Sequence, residues 1–216
     1  MCIRDSAASA SSGIRQFIDI GSGLPTQNNT HQAVQKAAPE ARVVYVDHDP
    51  LVRAYAGALL TGDGSTRFVP ADLRDPDRVL TDPHTRELID FSQPAGLLMT
   101  AVLHFVADGS DPRGLLARYL AALAPGSYLA LSHATADQKP PATVRVLLDV
   151  YSRATEQLYL RTRAEVERYF GGLELVPPYE GAVAAVTYVG EWGAEDPELA
   201  DSDGSRWSYA AVARRP

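Results

Sequence analysis

The 216-residue sequence predicts an α/β fold, with a mostly parallel sheet covered by helices on both faces and an antiparallel hairpin near the carboxyl end. Three observations carry this expectation. Short runs rich in valine, leucine and alanine alternate with stretches whose apolar residues recur every three or four positions, the patterns of strand and helix in turn. Asp19, Asp47 and Asp72 stand at the ends of the first three apolar runs, where the crevice of a doubly wound sheet lies. The last three runs follow one another without long helices between them, as antiparallel neighbours do.

Residues 1–13 show no hydrophobic periodicity, and the small polar residues over 6–12 read as a disordered or non-native segment ahead of a single domain over 14–216. Phe17, Ile18 and Ile20 then make a buried strand interrupted by the acid Asp19. It breaks into Gly21-Ser22-Gly23, where the backbone turns sharply and admits a ligand closely. Asn28, Asn29 and Thr30 offer caps for a short helix whose apolar face is Ala33, Val34, Ala37 and Ala38, stopped by Pro39. Residues 41–46 form the second strand, ending in Asp47-His48-Asp49-Pro50. Asp49 caps the next helix with Pro50 in its first turn, and Leu51, Val52, Tyr55, Ala56, Leu59 and Leu60 line one face.

The same Asp-Pro start recurs at Asp75-Pro76, Asp82-Pro83 and Asp111-Pro112. Strands are expected at 66–69, 95–102 and 127–131, and helices at 112–124 and 141–158. Thr162 to Glu165 has the spacing of a capping box, opening a helix that buries Val166, Tyr169 and Phe170 before Gly171. Residues 173–176, 182–189 and 207–213 read as the closing strands, and the acidic stretch 190–205 as an exposed loop.

Composition bounds the function. Acids outnumber Lys and Arg 27 to 20, for a net charge of -7, which argues against a generic nucleic-acid surface. A single cysteine, Cys2, provides neither an internal disulfide nor a thiolate metal cluster and suits a reducing, cytoplasmic setting. No apolar run reaches membrane-spanning length. No metal site is expected.

The loop narrows the choice further. A dinucleotide fingerprint needs a third glycine where Thr26 stands, which weighs against a nicotinamide cofactor. Asp19 at the end of a central strand favours a ligand with a cationic group. The Asp-Ile-Gly-Ser-Gly pattern of residues 19–23 resembles the first motif of Rossmann-like methyltransferases that use S-adenosyl-L-methionine. Together with 44–50 (Val-Tyr-Val-Asp-His-Asp-Pro), 71–76 (Ala-Asp-Leu-Arg-Asp-Pro) and 131–135 (Leu-Ser-His-Ala-Thr), it is similar to an actinobacterial S-adenosylmethionine-dependent methyltransferase family long carried as a domain of unknown function. The resemblance runs over nearly the whole chain. It implies the class I fold, with a seven-stranded sheet, and methyl transfer from S-adenosyl-L-methionine to a small-molecule acceptor. That family commonly has a further amino-terminal region ahead of the first strand, whose motifs this sequence lacks, so the expectation is a site without that cover.

On this resemblance Asp19 accepts from the amino group of the methionine moiety, which lies against Gly21, Ser22 and Gly23. Asp19 could instead cap the following helix. Asp47 accepts from both ribose hydroxyls, and His48 lies beside the adenine or, alternatively, is an exposed loop histidine. Asp72 accepts from the exocyclic amine while Leu73 meets the ring; alternatively Asp72 only braces Arg74. His104 and His133, after strands four and five, are the candidate catalytic bases, with a structural role open for each. Two other functions are weighed: an NAD-dependent oxidoreductase, and a catalytically degenerate S-adenosylmethionine-binding protein.

Overall fold

Strand β1 (Gln16–Ile20) is buried along its whole length, because it lies in the middle of the sheet and both faces are covered. The computed structural model describes residues 13–24, 29–59 and 64–216. The segment expected over residues 1–12, the turn residues Pro25 and Thr26, the cap Asn28 and the apolar Leu60 lie outside the described residues, as does the side chain of Leu59.

Four more strands run parallel to β1: β2 (Arg42–Asp47), β3 (Thr66–Pro70), β4 (Gly96–Thr100) and β5 (Tyr128–Ala134). The order across the sheet is β3-β2-β1-β4-β5, then β8 (Ser208–Arg214), antiparallel to β5, then β6 (Glu174–Leu175). Strand β7 (Thr187–Tyr188) shares the outer edge of β8 with β6. Among the described residues the sheet has eight strands, against the expected seven. The sixth and seventh are two residues each, against expectations of 173–176 and 182–189. Pro177 and Pro178 lack the amide hydrogens a ladder needs, and Gly181 turns the chain with φ +82, so only the ends of the segment reach β8.

The alternation within the strands divides the core. Ile18, Ile20, Val44, Val46, Leu97, Met99, Leu129 and Leu131 face α3 (Pro76–Thr81), α4 (Pro83–Leu88) and α5 (Pro112–Ala122) through Val79, Leu88, Leu116 and Tyr119. Phe17, Val43 and Tyr45 face the opposite way, toward Val34 and Ala38 at α1 (Thr30–Ala37). Asp19 points to that second side.

The Asp-Pro starts form as expected. Asp75, Asp82 and Asp111 accept from the backbone N–H groups of Arg78, His84 and Gly114 at 3.2, 2.9 and 3.0 Å. Asp49 accepts from Leu51 N–H at 2.7 Å before α2 (Pro50–Leu59). A fifth start, Asp196-Pro197, opens α8 (Pro197–Ala200) inside the stretch expected to be an exposed loop, where Trp192 and Ala194 are also buried. The capping box is present at α7 (Arg163–Glu167), and Val166, Tyr169 and Phe170 are buried as expected.

Two helices differ from expectation. In α2, Val52 and Ala56 are buried but Leu51 and Tyr55 are exposed, so the inward stripe is narrower than the run of apolar residues. Helix α6 (Pro141–Tyr151) stops seven residues early and buries none of its residues, leaving Val146 and Val150 in solvent; only Leu158, in the extended chain beyond it, is buried. Among the described residues no helix is long and apolar enough to cross a membrane.

Candidate functional site

The order β3-β2-β1-β4-β5 places the switch in strand order between the parallel strands β1 and β4, and the loops leaving their carboxyl ends diverge there. A cleft of about 630 Å³ opens at this point, within the range of small-molecule sites. Its floor comes from Gly21, Gly23, Val46, Asp47, Ala101 and Val102, and a wall comes from Phe105, Tyr151 and Glu156. A second cleft, of about 580 Å³, lies at the amino ends of the strands between Arg15, Arg42, Tyr128 and Arg214. The first is the better candidate, because loops at carboxyl ends can diverge around a ligand whereas the strand starts are tied by the crossovers.

The loop after β1 is held by its neighbours. Gly21 and Ser22 donate their N–H groups to Val46 O at 2.8 and 3.1 Å, and Gly23 N–H donates to Asp47 Oδ2 at 2.9 Å. Gly21 and Gly23 have φ +68 and +66, and a Cβ on Gly21 would lie 2.2 Å from Val102 Cγ2, so only glycine fits there. Asp47 thus fixes the loop with one oxygen, while its Oδ1 accepts from Asp49 N–H at 2.9 Å. Each oxygen keeps a further lone pair for a ligand hydroxyl.

Asp19 is 4% exposed and sits behind this loop rather than on the cleft surface. It accepts from Thr30 Oγ1 at 2.6 Å, tying the first residue of α1 to the sheet. Burial pushes its carboxyl up to about 6; the Thr30 hydroxyl opposes this and the nearby charge of Asp47 adds to it.

At the other end of the cleft, His48 Nε2 is 3.4 Å from Glu156 Oε1. Leu73 lines the wall and its carbonyl accepts from Tyr119 Oη at 2.9 Å, which anchors the post-β3 turn to α5. Asp72 comes between the lining residues Ala71 and Leu73 but does not itself line the cleft. Its Oδ1 accepts from the N–H and Nε of Arg74 at 2.8 and 2.9 Å. Burial pushes that carboxyl up, but the hydrogen bonds and charge of Arg74 outweigh it and hold it below its ordinary value. Arg74 Nη2 continues to Glu156 Oε1 at 3.0 Å.

The two histidines expected at the reacting end do not line the cleft. Strand β5 runs three residues further than expected, so His133 is a strand residue and completely buried. Its Nδ1 is 2.8 Å from Ala134 O and its Nε2 is 2.6 Å from Arg161 Nη1, so the ring carries its hydrogen on Nδ1 and accepts at Nε2. His104, in a short 3₁₀ turn over Leu103–Phe105, is 7% exposed and accepts at Nδ1 from Ala134 N–H at 3.3 Å. Burial, reinforced by the charge of Arg161, pushes His104 down to about 4 and His133 to about 3. Both rings are neutral across the physiological range and turned into protein.

Arg161 was not singled out from sequence. Its guanidinium donates to Val106 O at 2.8 Å and to Asp108 Oδ1 at 2.6 Å, besides His133, and so pins the loop that carries Val102 and Phe105. A lone cation in the run Leu158-Tyr159-Leu160-Arg161 was the available signal, since a charge among apolar residues is buried only when paired. Glu156, Phe105 and Tyr151 were also missed; their partners lie far off in the chain, and no local pattern marks them.

The S-adenosyl methyltransferase family profile matches residues 3–216. The chain is similar to a Thermobifida fusca YX protein of solved structure that bears a provisional methyltransferase label, with 38% identity and TM-score 0.88 over 99% of this chain and 78% of that one. It is also similar to a Streptomyces avermitilis MA-4680 protein of the DUF574 family, with 40% identity and TM-score 0.86 over 100% of this chain and 83% of that one. The N-methyltransferase NodS of Bradyrhizobium japonicum WM9, solved with S-adenosyl-L-homocysteine, shares the fold at 13% identity and TM-score 0.56, over 99% of this chain and 85% of that one. No curated protein matches the chain.

Proposed function

The chain belongs to the S-adenosyl methyltransferase family, and from that premise we propose that the cleft at the carboxyl ends of β1 to β4 is where it holds S-adenosyl-L-methionine for transfer to a small-molecule acceptor. The chain is a class I, S-adenosylmethionine-dependent methyltransferase. Neither family nor fold supports the nicotinamide alternative. One observation carries the placement of the cofactor: a glycine loop with two positive φ angles, bonded by its own amide to the carboxylate of Asp47, in a cleft large enough for a nucleoside.

The residues fit the group. Gly21 to Gly23 offer a surface without side-chain bulk for the methionine moiety, and Asp47 offers paired acceptors for the ribose diol. Leu73 supplies an apolar contact for the adenine, with His48 and Asp72 at its edge. Asp19 acts from behind the loop, directly or through water, on the amino group. When bound, the cofactor supplies a methyl group already activated by a positive sulfur. The protein's part is therefore to align that group with the acceptor and exclude water; Val102, Phe105 and Tyr151 form an apolar wall suited to this. His104 and His133 support the wall rather than take a proton, since both are buried and committed to other partners. A concave cleft and a net charge of -7 favour a small acceptor over a nucleic acid, and a chain with one cysteine suits the reducing cytoplasm.

Calorimetric titration with S-adenosylmethionine, S-adenosylhomocysteine and NAD tests the placement. The first two are expected to bind and NAD not; binding of both that is untouched by Asp47→Ala would move the site elsewhere.

A further inference from the structure

Four charged or titratable side chains from three distant parts of the chain are linked beside the cleft, and two of them, His48 and Glu156, line it. Asp72 and Arg74 follow β3, His48 follows β2, and Glu156 belongs to the segment after α6. Glu156 contacts both Arg74, at 3.0 Å, and His48, at 3.4 Å, while Ala154, Thr155 and Glu156 line the cleft. No residue of helix α6 is fully buried, so packing gives its carboxyl end little hold on the sheet. The polar contacts of Glu156, with Tyr151 against Phe105 at 6.1 Å between centroids, fasten it there.

We infer that Glu156 is a positioning residue for the purine end of the cofactor: by holding Arg74 it fixes the carboxylate of Asp72, and by the same bond it draws residues 152–156 across the cleft as a strap. This rests on the proposed placement of the cofactor. Arg74 engages Asp72 through its N–H and Nε and Glu156 through Nη2, so its two ends are committed to two carboxylates. Asp72 Oδ2 accepts from Arg74 Nε at 3.0 Å, its one hydrogen bond among the described residues, and the geometry leaves it a lone pair for an exocyclic amine. With Arg74 released, the Asp72 carboxylate would retain its backbone contact but lose the second donor that orients it. A site that accepts from an amine should discriminate against a purine bearing a carbonyl at that position.

The experiment compares S-adenosylhomocysteine with S-inosylhomocysteine, in which the purine amine is replaced by a carbonyl. Wild type is expected to prefer the adenine compound by more than about tenfold, and Asp72→Asn, which presents a donor, should abolish most of that preference. Glu156→Gln should reduce the preference by about threefold, and the double variant should behave as Asp72→Asn alone, because Glu156 acts through Asp72. An unchanged preference in Glu156→Gln, or a double variant that loses the sum of both effects, overturns the positioning role.

Hydrogen exchange reads the strap without ligand. Backbone amides over 152–158 should exchange faster in Glu156→Gln than in wild type, whereas Asp149→Asn, which removes the exposed pair between Asp149 of α6 and Arg153 beyond its end, should leave them unchanged. Equal exchange in wild type and Glu156→Gln overturns the strap whatever the binding results. Failure of wild type to bind either nucleoside would instead remove the cofactor placement, and the positioning role with it, while exchange still decides the strap.

Discussion

Asp47 and Asp49 are two positions apart and do different work. Both line the cleft, but Asp47 accepts from Gly23 of the loop after β1, whereas Asp49 accepts from Leu51 at the start of α2. Replacing Asp47 by alanine should weaken S-adenosylmethionine and S-adenosylhomocysteine alike by about ten- to a hundredfold, the loss of charge-assisted bonds to a ribose both share. Asp49→Ala should lower unfolding free energy by about 1 kcal/mol with little change in affinity. Titrations and melts on both variants separate the roles. Asp19 offers a different handle. Its rise from 3.8 to about 6 corresponds to about 3 kcal/mol of cost for holding a buried charge at neutral pH. Asp19→Asn should therefore stabilise the unliganded protein above pH 6. If the carboxylate senses the amino group of the cofactor, binding at pH 6 should release about half a proton. Calorimetry in buffers of different ionisation heat measures it; no release would leave Asp19 as a brace for Thr30 alone.

At the scale of elements, what could be read from sequence was what the chain decides locally. The Asp-Pro starts formed as expected because a carboxylate needs only the next two or three amides to cap a helix. Asp111 also sits at φ +48, so Asp111→Ala should cost about 1 to 2 kcal/mol from lost cap and backbone strain together, and Asp111→Asn much less; chemical denaturation resolves the two. The glycine loop and the acids at the ends of β1 and β2 were legible for the same reason. Elements that depend on distant partners were not. Residues 182–189 have a strand's composition, yet only Thr187 and Tyr188 pair, because what pairs is decided by the reach from Pro178 and Gly181 to β8. Helix α6 has helical periodicity, but Val144, Leu147 and Tyr151 on its expected inner face are only half-buried and Leu148 is exposed. His133 looked like a loop residue at the crevice because the length of β5 is set by its partner β8, which pairs with it as far as Ala134.

For the whole molecule, the buried titratable groups give stability a defined dependence on pH. His104 and His133 titrate at about 4 and about 3 when folded, against 6.5 when not, so acid protonates the unfolded chain first. Their stabilisation is complete above about pH 6.5 and is lost as pH falls toward 4. Asp19 acts in the opposite sense, since its raised value lets the folded chain take up the proton first between about 6 and 3.8. Urea unfolding from pH 7 to 4 should show a net loss of stability, and Asp19→Asn should lose it more steeply because the compensating uptake is gone. A flat profile would mean the histidines are more exposed to solvent than their 7% and 0% accessibility implies.

The position of β8 also bears on how the chain is made. It lies inside the sheet, between β5 and the short strands β6 and β7, yet among the described strands it is the latest to leave the ribosome. About 80 residues separate the end of β5 from the end of β8, which at ordinary synthesis rates takes between about 4 and 16 s. Throughout that interval the outer edge of β5, carrying Leu129, Ala130 and Leu131, has no neighbour to pair with, and such an edge invites pairing between nascent chains. The pace of translation over residues 135–207, more than the stability of the finished sheet, should therefore govern how much of the protein emerges soluble.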